Sequence, residues 1–140
     1  MVNSKPSVLF VCVHNSGKSQ TAAALMRHKA GDLIEVMSGG TDPGTELWGP
    51  AREAALEVGA SMDGEFPKAI SDEVFMSATR IVILGDAAKL EPRDGMVGSI
   101  ETWLTPDPGP EVGDKLDQAR IIRDDIARRV DELFKELTDN

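Results

Sequence analysis

One segment of the chain combines a nucleophile with groups that could bind an anion. It reads Cys12-Val13-His14-Asn15-Ser16-Gly17-Lys18-Ser19 and contains the only cysteine in the sequence. In such a loop, successive backbone N–H groups and the N-terminus of a following helix can surround a tetrahedral oxyanion. The same field favours a thiolate. We expect Cys12 to attack the bound anion, Lys18 to add positive charge and Ser19 to donate its hydroxyl to the sulfur. The predicted anion-binding residues are Val13, His14, Asn15, Ser16, Gly17 and Lys18.

This segment has two other interpretations besides a loop with a nucleophilic cysteine. Gly17-Lys18-Ser19 resembles the end of a nucleotide-binding loop, but that loop needs a second glycine five residues earlier, where this chain has Cys12. Cys12 could also be a small apolar residue at the end of a buried strand, as free cysteines often are. The adjoining turn, together with Lys18 and Ser19, favours the nucleophile.

A second candidate lies much later in the chain. Asp107 stands between Pro106 and Pro108, which restrict the loop around it. A carboxyl group there could protonate a leaving oxygen, although an ordinary loop aspartate is the alternative in a chain with 24 acidic residues. We expect the His14 side chain to face solvent while its backbone N–H binds the anion. No spacing of cysteine, histidine and carboxylates supports a metal site, so none is predicted.

Composition excludes several classes of function. The chain has 140 residues and a net charge of −9, with no basic cluster, which argues against a nucleic-acid partner. Any anionic ligand must therefore be bound by a local group of positive charges and N–H donors, because the overall charge of the chain repels it. The longest apolar run, residues 8–13, is far shorter than the roughly 20 residues of a membrane span. With one cysteine no intramolecular disulfide can form, and we expect a reducing, cytoplasmic location.

The elements that must position these residues alternate along the chain. Apolar, β-branched runs predict strands over residues 7–13, 34–38, 80–84 and 100–104, and helices are predicted over 19–30 and 50–58. The clearest helix has apolar residues at steps of three and four: Ile122, Ile126, Val130, Leu133 and Leu137. This order predicts an α/β fold, a four-stranded parallel sheet with helices on both faces, in a single domain over residues 1–140. In such sheets ligands bind at the carboxyl ends of the strands, where the Cys12 loop lies.

The pattern Cys-x5-[Arg/Lys]-Ser after a first strand resembles the phosphate loop of the low-molecular-weight protein tyrosine phosphatases and of the arsenate reductases with the same fold. Gln20, directly after this pattern, resembles the reductases, because the phosphatases usually carry proline at that position. Further similarities are Asn15 and the segments 38–41 (Ser-Gly-Gly-Thr), 85–88 (Gly-Asp-Ala-Ala) and 106–108 (Pro-Asp-Pro). The resemblance implies the low-molecular-weight phosphatase fold and arsenate as the substrate. It also implies that Cys12 is the nucleophile and Asp107 the general acid.

Two departures from the family pattern refine this expectation. Lys18 stands where the family has arginine, and Leu84 and Glu91 stand where some reductases carry two further cysteines. The resemblance therefore implies an external small thiol, mycothiol, as co-substrate, a mycoredoxin- or glutaredoxin-like protein downstream and no bound cofactor. One alternative is a tyrosine phosphatase or other phosphomonoesterase; the chain has no tyrosine, whereas phosphatases of this fold usually carry tyrosines after the Asp-Pro pair, and this weakens that alternative. The other is a non-catalytic oxyanion-binding protein, which the presence of Lys18 in place of arginine keeps open.

Overall fold

The strands form one parallel sheet, as predicted. The computed structural model describes residues 5–139, so the predicted domain limits at residues 1 and 140 lie outside the described residues. Its strands are β1 (Ser7–Cys12), β2 (Glu35–Gly40), β3 (Arg80–Leu84) and β4 (Ser99–Trp103), in the order β2-β1-β3-β4. Because the order reverses beside β1, the segments after β1 and β3 leave the sheet next to a topological switch point, where α/β proteins bind ligands.

Four α-helices cover the sheet, and they divide unequally between its faces. They are α1 (Lys18–Ala30), α2 (Gly49–Glu57), α3 (Asp72–Ser77) and α4 (Lys115–Thr138), and short 3-10 turns occupy Gly31–Leu33 and Pro110–Val112. Helices α1, α2 and α4 pack on one another over one face. The short α3 packs on the other face. Helices therefore lie on both faces, as predicted.

The two central strands are buried on both sides, which explains their continuous apolar runs. In β1, Val8 and Phe10 face the three long helices, whereas Leu9 and Val11 face the side that carries α3. The inner surface of α1 is a run of buried alanines at positions 22–24, whose small side chains allow the helix to lie close to the sheet. This close packing fixes the start of α1 relative to the end of β1.

The structure differs from the sequence predictions in three places. The six-residue α3 was not predicted, because it is too short to show a periodic pattern; Ser71, which accepts a hydrogen bond from the N–H of Val74, caps its start. Helix α4 begins well before the first periodic residue, since Asp114 and Asp117 form a capping box. The bounds of β3 are as predicted, and those of the other predicted elements differ by one or two residues.

Candidate active site

The loop between β1 and α1 turns sharply at one asparagine. We call residues 13–18 the oxyanion loop; it starts directly after Cys12, the last residue of β1, and ends at the first residue of α1. Among residues 5–139, Asn15 is the only non-glycine residue with a positive φ, 53°. Asparagine tolerates this left-handed conformation better than most residues. The turn brings the loop back over Cys12, and Gly40 leaves room for it, because a Cβ there would lie 2.6 Å from the Val13 carbonyl oxygen.

The carbonyl groups of the loop point outward. The carbonyl oxygens of residues 12, 13, 14 and 16 accept hydrogen bonds of 2.8–3.2 Å from backbone N–H groups of the segment 41–48, namely those of Thr41, Asp42, Gly44 and Trp48. In a trans peptide the next N–H points opposite to the carbonyl. The N–H groups of the four following residues therefore point away from that segment, toward the cavity that the loop lines. They form a set of donors suited to an oxyanion.

The start of α1 adds to this positive field. Gly17 at the N-cap position makes no side-chain capping bond, and the first turn contains no acidic residue. The first N–H groups of α1 and the positive end of its dipole are therefore available to an anion. Lys18 extends over the end of β3, since its Nζ lies 3.8 Å from the position that a Cβ on Gly85 would take. The oxyanion loop and the start of α1 thus supply a positive field in a chain whose net charge is −9.

A chain of buried and partly buried hydrogen bonds leads to Cys12 from behind the oxyanion loop. Ser19 Oγ lies 3.0 Å from Cys12 Sγ and accepts a 2.7 Å hydrogen bond from Asn15 Nδ2. The orientation of the Asn15 amide is fixed, because its Oδ1 accepts the backbone N–H of Lys68 at 3.1 Å. The hydroxyl hydrogen of Ser19 is therefore left to point at the sulfur, where it stabilises a thiolate. The predicted contact between Ser19 and Cys12 is present.

Asn15 is held by three donors on the side away from Cys12. Besides the backbone N–H, its Oδ1 accepts Gln20 Nε2 at 3.1 Å and Lys68 Nζ at 3.5 Å. Lys68 Nζ also donates to Ser38 Oγ at 3.1 Å and lies 3.4 Å from a carboxylate oxygen of Glu65. Asn15 and Gln20 are fully buried. The loop turn and the hydroxyl that faces Cys12 are therefore fixed by the same amide.

Cys12 opens into a cavity of about 460 Å³. Most of the predicted site residues line it: Cys12, Val13, His14, Ser16, Gly17, Lys18 and Asp107. Asn15 and Ser19 do not; their side chains lie buried behind the loop. His14 is exposed, and its Nδ1 lies 2.9 Å from the carbonyl oxygen of Asp42, so its side chain turns away from the loop centre as expected.

Sequence reasoning missed three contributors to the site. Asp86 lines the cavity directly after the left-handed Gly85 (φ 88°), and its position past the end of β3 was the available signal. Trp48 forms part of the wall, and nothing in its local sequence indicates this. Lys68 gives no local signal of a role in the site, but its ammonium points inward to Asn15.

A charged clamp outside the cavity joins two helices that form its wall. Glu57 on α2 accepts hydrogen bonds from Arg120 at 2.6 Å and from Arg123 at 2.8 Å, both on α4. The hydrogen bond from Arg120, supported by Arg123, lowers the pKa of Glu57 to about 2. Ala51 on α2 and Ile122 on α4 line the cavity, so the clamp fixes the spacing of that wall.

Residues 5–139 contain neither a cluster of metal ligands nor a membrane-spanning helix. No three histidine, cysteine, aspartate or glutamate side chains in that range are grouped as a metal site would require. Within the same range, no helix combines the length and apolarity needed to cross a membrane.

These features of the fold and the site define a class of protein: an α/β protein with a cysteine at the base of a loop that is shaped to bind an anion. The chain belongs to the low molecular weight phosphotyrosine protein phosphatase family, whose profile matches residues 7–140. The family resemblance and the fold drawn from the sequence are thereby confirmed.

Relatives and solved structures are similar to most of the chain. A putative arsenate reductase of Halobacterium salinarum is 32% identical over 132 residues, covering 91% of this chain and 89% of that protein. The thioredoxin-dependent arsenate reductase of Corynebacterium glutamicum superposes with a TM-score of 0.79 at 29% identity over 98% of this chain, which spans only 64% of that chain. A low molecular weight protein tyrosine phosphatase from T. tengcongensis shares the fold, with a TM-score of 0.77, 21% identity and coverage of 95% and 100%.

Proposed function

We propose that this protein reduces arsenate, with Cys12 as the nucleophile and an external thiol as the source of electrons. The observation that carries the proposal is the 3.0 Å contact between Ser19 Oγ and Cys12 Sγ at the base of the oxyanion loop. The similarity to proteins named arsenate reductases supports arsenate as the oxyanion. Inward N–H groups and Lys18 would hold its oxygens.

In the first step the Cys12 thiolate forms a sulfur–arsenic bond. One arsenic–oxygen bond breaks, and Asp107, which lines the same cavity, gives its proton to the departing oxygen, which leaves as water. Arsenic remains in the +5 state and Asp107 is left as a carboxylate. The negative charge on the remaining oxygens stays within the loop, where the donors are already oriented before the reaction begins.

The second step transfers arsenic to a small thiol. Asp107 accepts the thiol proton, the incoming sulfur bonds to arsenic, and Cys12 leaves as a thiolate. An external thiol is required because the sequence has no second cysteine that could form a disulfide with Cys12. We propose mycothiol as that thiol. The name of the Corynebacterium relative specifies thioredoxin, a different reductant, so this assignment needs a direct test.

Reduction itself takes place outside the loop. A second thiol, from a mycoredoxin- or glutaredoxin-like protein, attacks the sulfur of the arsenic–thiol adduct. A disulfide forms between the two thiols, and the electron pair of the broken sulfur–arsenic bond passes to arsenic. Arsenic is thereby reduced to the +3 state and leaves as arsenite. The cycle requires no bound cofactor. It suits a reducing cytoplasm, where Cys12 stays a free thiol.

The decisive assay measures arsenite formed from arsenate with mycothiol, glutathione or thioredoxin as the only reductant. We expect multiple turnovers with mycothiol when a mycoredoxin-like protein is present, and none with thioredoxin alone. Cys12→Ser should abolish turnover, because a serine hydroxyl stays protonated; Ser77→Ala, on the exposed end of α3, is the control and should retain it. Sustained arsenite production with thioredoxin and no small thiol would contradict the transfer to an external small thiol.

A second candidate is phosphate-ester hydrolysis, which the fold shared with a solved tyrosine phosphatase favours. It would use the same cysteine, with water resolving a phosphocysteine. Lys18 distinguishes the candidates, because a lysine lacks the planar two-point grip of arginine on a phosphoryl group. Lys18→Arg should raise hydrolysis of p-nitrophenyl phosphate from a low base. Efficient hydrolysis by the unaltered protein, without arsenate-dependent thiol consumption, would replace the reductase by the phosphatase. Arsenate binding without either activity would indicate the non-catalytic oxyanion-binding protein.

A further inference from the structure

The cavity above Cys12 is much larger than an oxyanion requires. Its volume of about 460 Å³ falls in the range of roughly 300–1,000 Å³ typical of pockets for organic ligands. The oxyanion loop forms only one side. The rest of its lining is largely apolar and comes from α2, α4, the end of β3 and the residues next to them, namely Trp48, Ala51, Leu84, Ala87, Ala119 and Ile122. The space beside the bound oxyanion can therefore hold a second, partly apolar molecule.

The fixed charges around this space are unbalanced. Lys18, Asp86 and Asp107 line it, which gives one cation and two carboxylates. Within residues 5–139 none of these three groups takes part in an ion pair. Lys18 Nζ lies 3.8 Å from the position that a Cβ on Gly85 would take, beside Asp86, so one cation and two carboxylates together leave one net negative charge before the oxyanion adds its own. The chain as a whole adds to it with −9.

Asp86 differs from Asp107 in what it can do. Asp107 has a chemical role in the proposed transfer, since it carries the proton to the leaving oxygen. Asp86 needs no such role: it sits past the end of β3, is exposed, and lines the same open cavity as Cys12. A fixed charge at that position acts on the charge of whatever enters.

We propose that the outer cavity is the entry site of the acceptor thiol, and that Asp86 makes it select neutral or cationic small thiols over thiols with a net negative charge. This inference rests on the proposed function, since it concerns the co-substrate of the same cysteine. It adds no chemical step; the transfer of arsenic remains as written above. The apolar wall contacts the body of the thiol, and Asp86 filters its charge.

The test compares two small thiols of opposite charge, cysteamine and 3-mercaptopropionate, as arsenic acceptors. The readout is the ratio of kcat/KM for the anionic thiol to that for the cationic thiol, so a general change in activity cancels. Asp86→Asn should raise this ratio by roughly tenfold at low ionic strength, and added salt should reduce the difference. Glu35→Gln is the matched control: it changes net charge equally, but Glu35 is exposed at the amino end of β2, the opposite end of the sheet. An unchanged ratio in Asp86→Asn, or an equal rise in Glu35→Gln, would overturn the proposal.

A second measurement separates this inference from the proposed function. Cationic and anionic methanethiosulfonate reagents modify Cys12 directly, without arsenate, and their relative rates report the charge selectivity of the cavity. Asp86→Asn should shift the relative rate toward the anionic reagent, and Glu35→Gln should leave it unchanged. If no thiol supports arsenate turnover, the proposed function fails and these rates alone decide whether Asp86 filters charge. If turnover occurs without any charge dependence, only the present inference fails.

Discussion

The hydrogen bond from Ser19 to Cys12 yields the most direct quantitative prediction. Ser19 is fully buried, and its hydroxyl hydrogen has the sulfur as its target because Asn15 Nδ2 already donates to its oxygen. A hydrogen bond to a charged group contributes about 1.5–3 kcal/mol, and about 1.4 kcal/mol corresponds to a factor of ten. Ser19→Ala removes this donor, whose hydrogen bond is stronger to a thiolate than to a neutral thiol. We therefore expect the rate of Cys12 alkylation at pH 7 to fall roughly ten- to hundredfold.

The assay is the rate of Cys12 alkylation by iodoacetamide at pH 7, which needs no assumption about the substrate. The sequence has one cysteine, so the reaction reports that site alone. Ser77→Ala provides the control, since it also removes a serine hydroxyl, one that donates to the carbonyl of Glu73 on the surface of α3. Melting curves establish that both variants fold. Alkylation of Ser19→Ala at the rate of the unaltered protein would refute the assignment of the donor.

Three further predictions concern groups behind the loop and beside the cavity. Asn15→Asp should slow alkylation as much as Ser19→Ala, because a carboxylate oxygen in place of Nδ2 would draw the Ser19 hydroxyl away from the sulfur. An alkylation rate equal to that of the unaltered protein would contradict the hydrogen-bond chain from Asn15 through Ser19 to Cys12. Lys68→Met should slow it less, by severalfold, since the backbone N–H of residue 68 still holds the Asn15 oxygen. Glu57→Gln should lower the Tm at pH 7. The pKa of Glu57 is lowered from 4.5 to about 2, chiefly by its hydrogen bond from Arg120, so its stabilisation is complete above pH 4.5 and is lost as the pH falls toward 2. The Tm difference between the two proteins should shrink across that range, and a constant difference would contradict the clamp.

The parts of the site that sequence reasoning found are those encoded by neighbouring residues. Cys12, Lys18 and Ser19 lie within one strand–turn–helix segment, and the geometry of such a segment follows from its residue types and from the way parallel sheets are built. Asp107 was found because prolines flank it, and it does line the cavity with Cys12. The proton transfer assigned to it remains a prediction.

The missed parts depend on contacts between distant segments. Lys68 reaches Asn15 from 53 residues away, and a lysine near a proline and a phenylalanine gives no local signal that its ammonium turns inward. Trp48 closes the cavity because its backbone N–H is bound by the carbonyl of Ser16, again a contact between separate segments. The ring of Phe66 is exposed, and Lys68 Nζ lies over it, 5.6 Å from the centroid.

The arrangement explains how an acidic chain can hold an anion at all. With a net charge of −9, the protein repels an oxyanion at long range, and only groups within a few ångströms can reverse that effect. The inward N–H groups and the start of α1 supply a positive field that cannot titrate, whereas Lys18 supplies one full charge. Because the outward carbonyls are hydrogen-bonded to segment 41–48, the N–H groups keep their direction whether or not an anion is present. The anion site is therefore preorganised, and the acidic surface around it, Asp86 included, is free to discriminate among the molecules that follow.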